Sequence, residues 1–120
     1  MTIEKTIPVL RIFDYTKAVE FYVDWLGFKI NWEHTYEEDM PIYMEVERNG
    51  LMLHLSEHHG DGTPGSNVFT WCKGVADFHK QLRKYKYNRP GLQKDASELC
   101  FRVIDPFHNI ISFNEKIEEK

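Results

Sequence analysis

The sequence predicts an α+β fold built from two tandem βαβββ modules. Most of the predicted elements are strands in which apolar and polar residues alternate. Each half of the chain also contains one helix with a single apolar stripe, and the two halves repeat the same order of elements. The repeat aligns three positions of one helix with three of the other, half the 120-residue chain apart: Tyr15, Ala18 and Tyr22 with Val75, Phe78 and Leu82.

The first module opens with a strand followed by a helix. Ile7–Phe13 is rich in β-branched residues, and Pro8 predicts an edge position or the start of the strand. Asp14 is an N-cap, because its carboxylate can accept from the free amides of the first helical turn. The apolar stripe of the helix lies at i, i+3, i+4, i+7 and i+8: Ala18, Phe21, Tyr22, Trp25 and Leu26. Gly27 ends the helix as its C′ residue.

Three strands complete this module: Phe28–Tyr36, Pro41–Glu47 and Leu51–Glu57. Asn49 and Gly50 predict a tight hairpin turn between the last two, because both residues tolerate positive φ. Both registers of the strand Phe28–Tyr36 fit its alternation, so the pattern leaves open which face carries Trp32. A loop with three glycines and a proline follows and ends the module.

The second module repeats this plan. The prediction places a strand at Asn67–Cys72, a helix at Gly74–Tyr85, a short strand around Pro90-Gly91 within an irregular segment, and strands at Glu98–Ile104 and Asn109–Asn114. A turn from Asp105 to His108 joins the last two strands. The whole chain, 1–120, is predicted to be one domain, with module one at about 5–58, the loop at 59–66 and module two at about 67–116.

Composition narrows the class of protein. The chain is 42% hydrophobic, which allows a sizeable core, and its net charge of −4 argues against a nucleic-acid or anionic-membrane partner. No apolar run reaches the ~18 residues of a membrane span. Cys72 and Cys100 lie far apart without CxxC spacing, so we expect reduced thiols in a cytoplasmic protein.

Alternation assigns the strand residues to two faces. The apolar face should pack under the helices: Leu10, Ile12, Leu51, Leu53, Leu55, Val68, Leu99, Phe101, Val103, Ile111 and Phe113. The opposite face mixes polar and large aromatic groups: Arg11, Met52, His54, Asn67, Phe69, Trp71, Cys100, Arg102, Ser112 and Asn114. Such a mixture is typical of a small-molecule cleft, and for Phe69 and Trp71 it is equally consistent with packing at a dimer interface.

The chain contains the segments PVLRIFDYTKAVEFYVDWLGF, LHLSEHHGD and FRVIDPFHNIISFNE. All three resemble the glyoxalase/bleomycin-resistance/dioxygenase (vicinal oxygen chelate) superfamily, and the middle one resembles its bleomycin-resistance branch. The resemblance implies that the two modules form a curved, half-open barrel. It also implies a homodimer whose ligand crevices lie between modules of the two subunits. In the turn, His108 occupies the usual glycine position, at a cost of about 1 kcal/mol if the backbone is left-handed there.

The same resemblance locates four metal-ligand positions, and this chain has no good donor at any of them: Ile7, Met52, Asn67 and Ser112. We therefore expect no metal and no cofactor. A site built from His54, His58 and His59 would require the loop to fold back on the strand, whereas the simpler interpretation is two loop histidines and one histidine hydrogen-bonded in the cleft.

The resemblance implies a binding protein that sequesters a bleomycin-like drug without turnover. Flat drug rings would stack on aromatic side chains, and acids at Glu37, Glu38 and Asp39 would attract a cationic tail, unless this run is simply a solvated loop. The predicted ligand-binding residues are Trp32, Tyr43, His54, Phe69, Trp71, Ser112 and Asn114. Two alternatives remain: a metal-dependent lyase, isomerase or dioxygenase of the same fold, and a binding module for another small molecule.

Overall fold

The computed structural model describes residues 1–82 and 90–117. The elements are β1 (Val9–Arg11), α1 (Tyr15–Ala18) continuing into a π-helical segment (Val19–Trp25), β2 (Lys29–His34), β3 (Tyr43–Arg48), β4 (Leu51–Ser56), β5 (Asn67–Trp71), α2 (Val75–Gln81), β6 (Gln93–Lys94), β7 (Glu98–Ile104) and β8 (Ile110–Lys116). The predicted extension of the second helix to Tyr85 lies outside the described residues. The short strand β6 begins two residues after the predicted Pro90-Gly91.

The eight strands of the described residues form two four-stranded sheets with the same plan, β1-β4-β3-β2 and β5-β8-β7-β6. In each sheet the first strand of the module pairs in parallel with the last, and the other pairs are antiparallel. The predicted α+β class and its two tandem modules are therefore confirmed. Among the described residues, no helix is long and apolar enough to cross a membrane.

The first helix begins as predicted but changes its hydrogen bonding. The Asp14 carboxylate accepts from the Lys17 amide at 3.0 Å. After Ala18 the turns widen, and the Leu26 amide donates to the Phe21 carbonyl five residues earlier at 3.0 Å. The predicted stripe still faces the core, because a π-helical turn also brings positions five apart onto one face. Gly27 has φ +79°, and a Cβ at this position would lie 2.2 Å from Nη1 of Arg48.

The predicted apolar face forms the core. Eight of its members are buried, and Leu51, Val68 and Leu99 are half-buried against the same cluster. Burying such side chains is the main favourable term in folding, at about 25 cal/mol per Å² of apolar surface. Strand β3 adds Met44 and Val46 to this core, both fully buried.

A buried polar cluster joins the two modules. The Tyr22 hydroxyl, on the first helix, donates to Asp105 Oδ2 at 2.6 Å in the turn between β7 and β8. Oδ1 of Asp105 accepts from the Phe107 and Asn109 amides, each at 2.8 Å. Nδ2 of Asn109 then donates to the Arg11 carbonyl at 2.8 Å. In this turn His108 has φ +68°, so it adopts the left-handed conformation although it is not a glycine.

Candidate functional site

A β-bulge in β2 decides the orientation of Trp32, which the sequence pattern leaves open. Ile30 pairs with Val46, but Trp32 pairs with Glu45, so the register shifts by one residue between Ile30 and Trp32. A bulge reverses the faces of the residues that follow it. Trp32 therefore leaves the core side of Ile30 and joins the open face of the first sheet.

Three of the predicted site residues come together on this open face. Trp32 and Tyr43 stack with ring centroids 5.9 Å apart and planes inclined by 11°. His54 lies edge-on to both rings, at 5.3 Å from Trp32 and 5.1 Å from Tyr43. We call these three residues the module-one aromatic group.

A chain of hydrogen bonds runs through this group. The Tyr43 hydroxyl lies 2.6 Å from Nδ1 of His54, and Nε2 of His54 lies 2.9 Å from Oε1 of Glu45. Nδ2 of Asn31 donates to the other Glu45 oxygen at 2.9 Å. The hydrogen bonds from Asn31 and His54 lower the pKa of Glu45, whereas burial raises the pKa of Tyr43.

Glu45 is not among the residues predicted from the sequence, although the sequence contains a signal for it. A two-residue turn at Asn49 and Gly50 fixes the hairpin register, and counting back from that turn places Glu45 opposite His54. The positive φ values of Asn49 and Gly50, +46° and +95°, agree with such a turn.

A cleft of about 600 Å³ opens beside the module-one aromatic group. Its lining consists of Trp32, His34, Tyr36, Tyr43, His58, His59 and Asp61. The glycine-rich loop contributes the last three, and it is held in place by hydrogen bonds from Ser56 Oγ to Asp61 Oδ2 at 2.9 Å and from Arg11 Nη1 to the His58 carbonyl at 2.7 Å. The acidic run 37–39 is exposed and does not line the cleft.

The other four predicted residues lie on the open face of the second sheet. Phe69 and Trp71 contact each other edge to face at 5.0 Å, with 58% and 52% of their surface exposed. We call these two residues the module-two aromatic pair. Asn114, in contrast, is buried, and its Nδ2 donates to the Thr70 carbonyl at 3.1 Å and to Ser112 Oγ at 3.0 Å. Its amide protons are therefore already used within the sheet.

The two sets of predicted residues remain apart in one chain. In the part of the chain that the structure describes, no hydrogen bond or ring contact joins the module-one aromatic group to the module-two aromatic pair. Trp71 instead lines a second groove of about 550 Å³, between the β3–β4 hairpin tip and the start of α2, together with Arg48, Lys73, Asp77 and Phe78. Among the described residues, the lining of the first cleft thus contains one carboxylate and no lysine or arginine, whereas the lining of this groove contains two cations and one carboxylate.

The residues at the four metal-ligand positions of the superfamily do not fit a metal ion. Ile7 has only a hydrocarbon side chain, and Met52 offers a soft thioether where a carboxylate is expected. Ser112 Oγ already accepts from Asn114. Within residues 1–82 and 90–117, no three His, Cys, Asp or Glu side chains lie close enough to hold a metal ion, and this includes the histidines His54, His58 and His59.

Comparison with known proteins places this architecture in a family. The profile of the family described as glyoxalase superfamily protein matches residues 1–120, and the chain therefore belongs to this superfamily. A bleomycin resistance protein from Geobacillus stearothermophilus is 28% identical to it, over 95% of this chain and 98% of the relative. A bleomycin resistance protein from Staphylococcus aureus matches with the same figures.

Solved structures show the same fold. A bleomycin-binding protein complexed with bleomycin superposes with a TM-score of 0.66 at 18% identity, covering 94% of this chain and 98% of that one. TnmS3, an antibiotic binding protein from Streptomyces sp. CB03234, superposes with a TM-score of 0.70 at 16% identity, covering 98% and 99%. At these identities the likeness concerns the fold.

Proposed function

We propose that this chain is a metal-independent binding protein that sequesters a glycopeptide antibiotic of the bleomycin class. The observation that carries the proposal is the presence of exposed aromatic groups on the open faces of both sheets. Trp32 exposes 42% of its surface, and both members of the module-two aromatic pair expose more than half. Groups of exposed aromatic side chains mark ligand or partner sites in many proteins, and flat drug rings would cover them by stacking.

The relatives support the same function. Those with similarity along nearly the whole chain are bleomycin resistance proteins, and two solved neighbours are a protein complexed with bleomycin and an antibiotic binding protein. Sequestration requires affinity but no turnover. The lack of suitable donors at Ile7, Met52, Asn67 and Ser112 weakens the alternative of a metal-dependent lyase, isomerase or dioxygenase, and it does not affect a binding function.

We further propose that two subunits form the binding crevice in a cytoplasmic homodimer. Among the described residues of one chain, no hydrogen bond or ring contact joins the module-one aromatic group to the module-two aromatic pair. A dimer could place the open face of one module opposite that of the partner's other module, and a drug with several rings would then contact both. The proposed ligand contacts are Trp32, Tyr43, Phe69, Trp71 and Ser112. Of the other two predicted residues, His54 holds the Tyr43 hydroxyl in position and Asn114 holds Ser112.

Tryptophan fluorescence tests the proposal, because the chain has three tryptophans and two of them lie on the open faces. Metal-free bleomycin should quench the emission saturably, at about one drug per chain. In Trp71→Phe and Trp32→Phe the amplitude of the quenching should fall. Trp25→Phe is the matched control: Trp25 packs against Phe21 in the first helix, with ring centroids 5.2 Å apart, and its loss should leave the quenching intact.

No quenching up to about 100 µM drug, a binding free energy weaker than roughly −5.5 kcal/mol, would contradict the drug class. The dimer has its own test. Sedimentation equilibrium should give twice the chain mass of 14.3 kDa, and a monomer that still binds bleomycin would overturn the shared crevice only.

A further inference from the structure

The hydrogen-bonded chain Tyr43–His54–Glu45 determines where the protons lie in the module-one cleft. Glu45 is held as a carboxylate, because hydrogen bonds from Asn31 and His54 lower its pKa. A carboxylate can only accept, so the His54 nitrogen that faces it at 2.9 Å, Nε2, must carry a hydrogen.

The direction of the hydrogen bond between His54 and Tyr43 follows from the chemistry of imidazole. In the neutral form of His54 only one ring nitrogen carries a proton, and with that proton on Nε2 the other nitrogen, Nδ1, is an acceptor. It lies 2.6 Å from the Tyr43 hydroxyl, which therefore donates its single proton to His54. The Tyr43 oxygen is left with lone pairs only, and Tyr43 lines the cleft.

The remaining lining of the cleft consists of one carboxylate, two aromatic side chains and the histidines His34, His58 and His59. Asp61 supplies a carboxylate there, and its charge acts on Tyr43 closely enough to contribute to the raised pKa of that phenol. Trp32 and Tyr36 supply aromatic surface, and among the described residues no lysine or arginine lines the cleft. An ammonium would find two acceptors there, the Tyr43 oxygen and the Asp61 carboxylate.

We propose that the module-one cleft selects a flat aromatic ligand with a cationic N–H donor, and that Tyr43 receives this donor because His54 and Glu45 hold its hydroxyl as an acceptor. Tyr43 contacts the ligand, and His54 and Glu45 are positioning residues. The inference deepens the proposed function, because it names the chemical group by which one half of the crevice would recognise its ligand.

The proton arrangement can be measured without any ligand. In protein labelled with ¹⁵N-histidine at pH 8, the nitrogen shifts of His54 should report a single tautomer protonated at Nε2. Glu45→Ala should produce a mixture of tautomers at His54 and leave His79, whose ring bonds to the Pro90 carbonyl, unchanged. A His54 protonated at Nδ1 in the unaltered protein would overturn the proposal.

The ligand class is tested with two indoles of opposite charge, tryptamine and indole-3-acetate, titrated by NMR. Tryptamine should bind more tightly. Tyr43→Phe should weaken tryptamine binding about tenfold, which is typical for loss of a hydrogen bond to a charged group. The same substitution should not weaken the binding of indole-3-acetate. Tyr15→Phe is the matched control, because it removes a tyrosine hydroxyl that bonds to Glu33 outside the cleft.

Each outcome separates this inference from the proposed function. Equal losses for both indoles in Tyr43→Phe, or no binding of tryptamine at all, would overturn the inference, while bleomycin titration would still test the drug class. Conversely, selective tryptamine binding without any response to bleomycin would support the proposed selectivity of the cleft and would contradict bleomycin-class drugs as the ligand. Circular dichroism of each variant checks that it has folded.

Discussion

The two modules share a scaffold and differ on their open faces. Both sheets have the same strand order and the same parallel pairing of first and last strands. On the first sheet, Trp32, Tyr43 and His54 contact one another and are linked to Glu45 and Asn31 by hydrogen bonds. On the second sheet, the module-two aromatic pair projects outward and Nζ of Lys116 lies 4.8 Å from the centre of the Trp71 ring.

This difference shows which constraints the repeated fold imposes. The helix side of each sheet must bury apolar surface, so its pattern is preserved in both halves. The open side has no such requirement, and it differs between the modules. In module one it is acidic and its side chains bond to one another, whereas in module two it exposes aromatic and basic side chains. Ligand contacts can change there at little cost to the fold.

The largest expected effect concerns the turns rather than the faces. The β3–β4 turn of module one consists of two residues, whereas the corresponding turn of module two holds Asp105, which bonds to Tyr22 across the modules. Asp105→Ala should lower the free energy of unfolding by about 3 kcal/mol, because it leaves several buried donors without a partner. Urea denaturation measures this change. Tyr22→Phe removes only one of these hydrogen bonds and should lower the free energy of unfolding by about 1 kcal/mol. Equal losses for the two variants would contradict the role of Asp105 as the shared partner of several buried donors.

A smaller effect should distinguish the two aromatic surfaces. Trp32→Ala removes contacts with two neighbouring rings and should lower the free energy of unfolding by about 1.5 kcal/mol. Phe69→Ala removes one ring contact from a side chain that is already mostly exposed, so we expect a loss of about 0.5 kcal/mol. Thermal or urea unfolding measures the loss for each variant. A larger loss for Phe69→Ala than for Trp32→Ala would contradict the view that the aromatic side chains are packed in module one and project outward in module two.

The fold was largely predictable because its signals are local. Alternation identified the buried face, and Asp14, Gly27 and the Asn49-Gly50 turn marked element boundaries through backbone chemistry that depends on single residues. The π-helical segment was not predicted, since Phe21 and Leu26 satisfy the helical stripe with either hydrogen-bonding pattern.

The candidate site was less predictable because it depends on pairing between strands. The bulge that turns Trp32 outward lies within an alternation that has no glycine or proline to mark it. The pair Glu45 and His54 follows from the hairpin register, but its extension to Tyr43 and Asn31 depends on side-chain geometry. No local pattern predicts that Asn114 uses its amide protons inside the second sheet.

The two turns also differ in backbone cost. His108 and Asn49 both have positive φ, at +68° and +46°, but asparagine tolerates this region better than histidine because its short side chain can hydrogen-bond locally. His108→Gly should therefore raise the free energy of unfolding by about 0.5 kcal/mol, the relief of strain being partly offset by the greater entropy of glycine in the unfolded chain. Asn49→Gly should give no gain. A clear gain for Asn49→Gly in urea denaturation would show that the two turns carry equal strain.

The smallest expected effect is the pH dependence that Glu45 gives to module one. Its pKa is lowered in the folded protein from a usual value of 4.5, so ionised Glu45 favours folding above that value, and this contribution is lost as the pH falls through the lowered pKa. The stability difference between the unaltered protein and Glu45→Gln should therefore be larger near pH 5 than near pH 3. It should shrink below pH 4.5, in urea denaturation repeated along the pH series. About 1 M salt, where the screening length is about 3 Å, should reduce the difference because Glu45 is near solvent. A stability difference that persists unchanged to pH 3 would mean that the carboxylate charge adds nothing to the hydrogen bonds that glutamine can also accept. The acidic character of the module-one open face would then have no energetic consequence for folding.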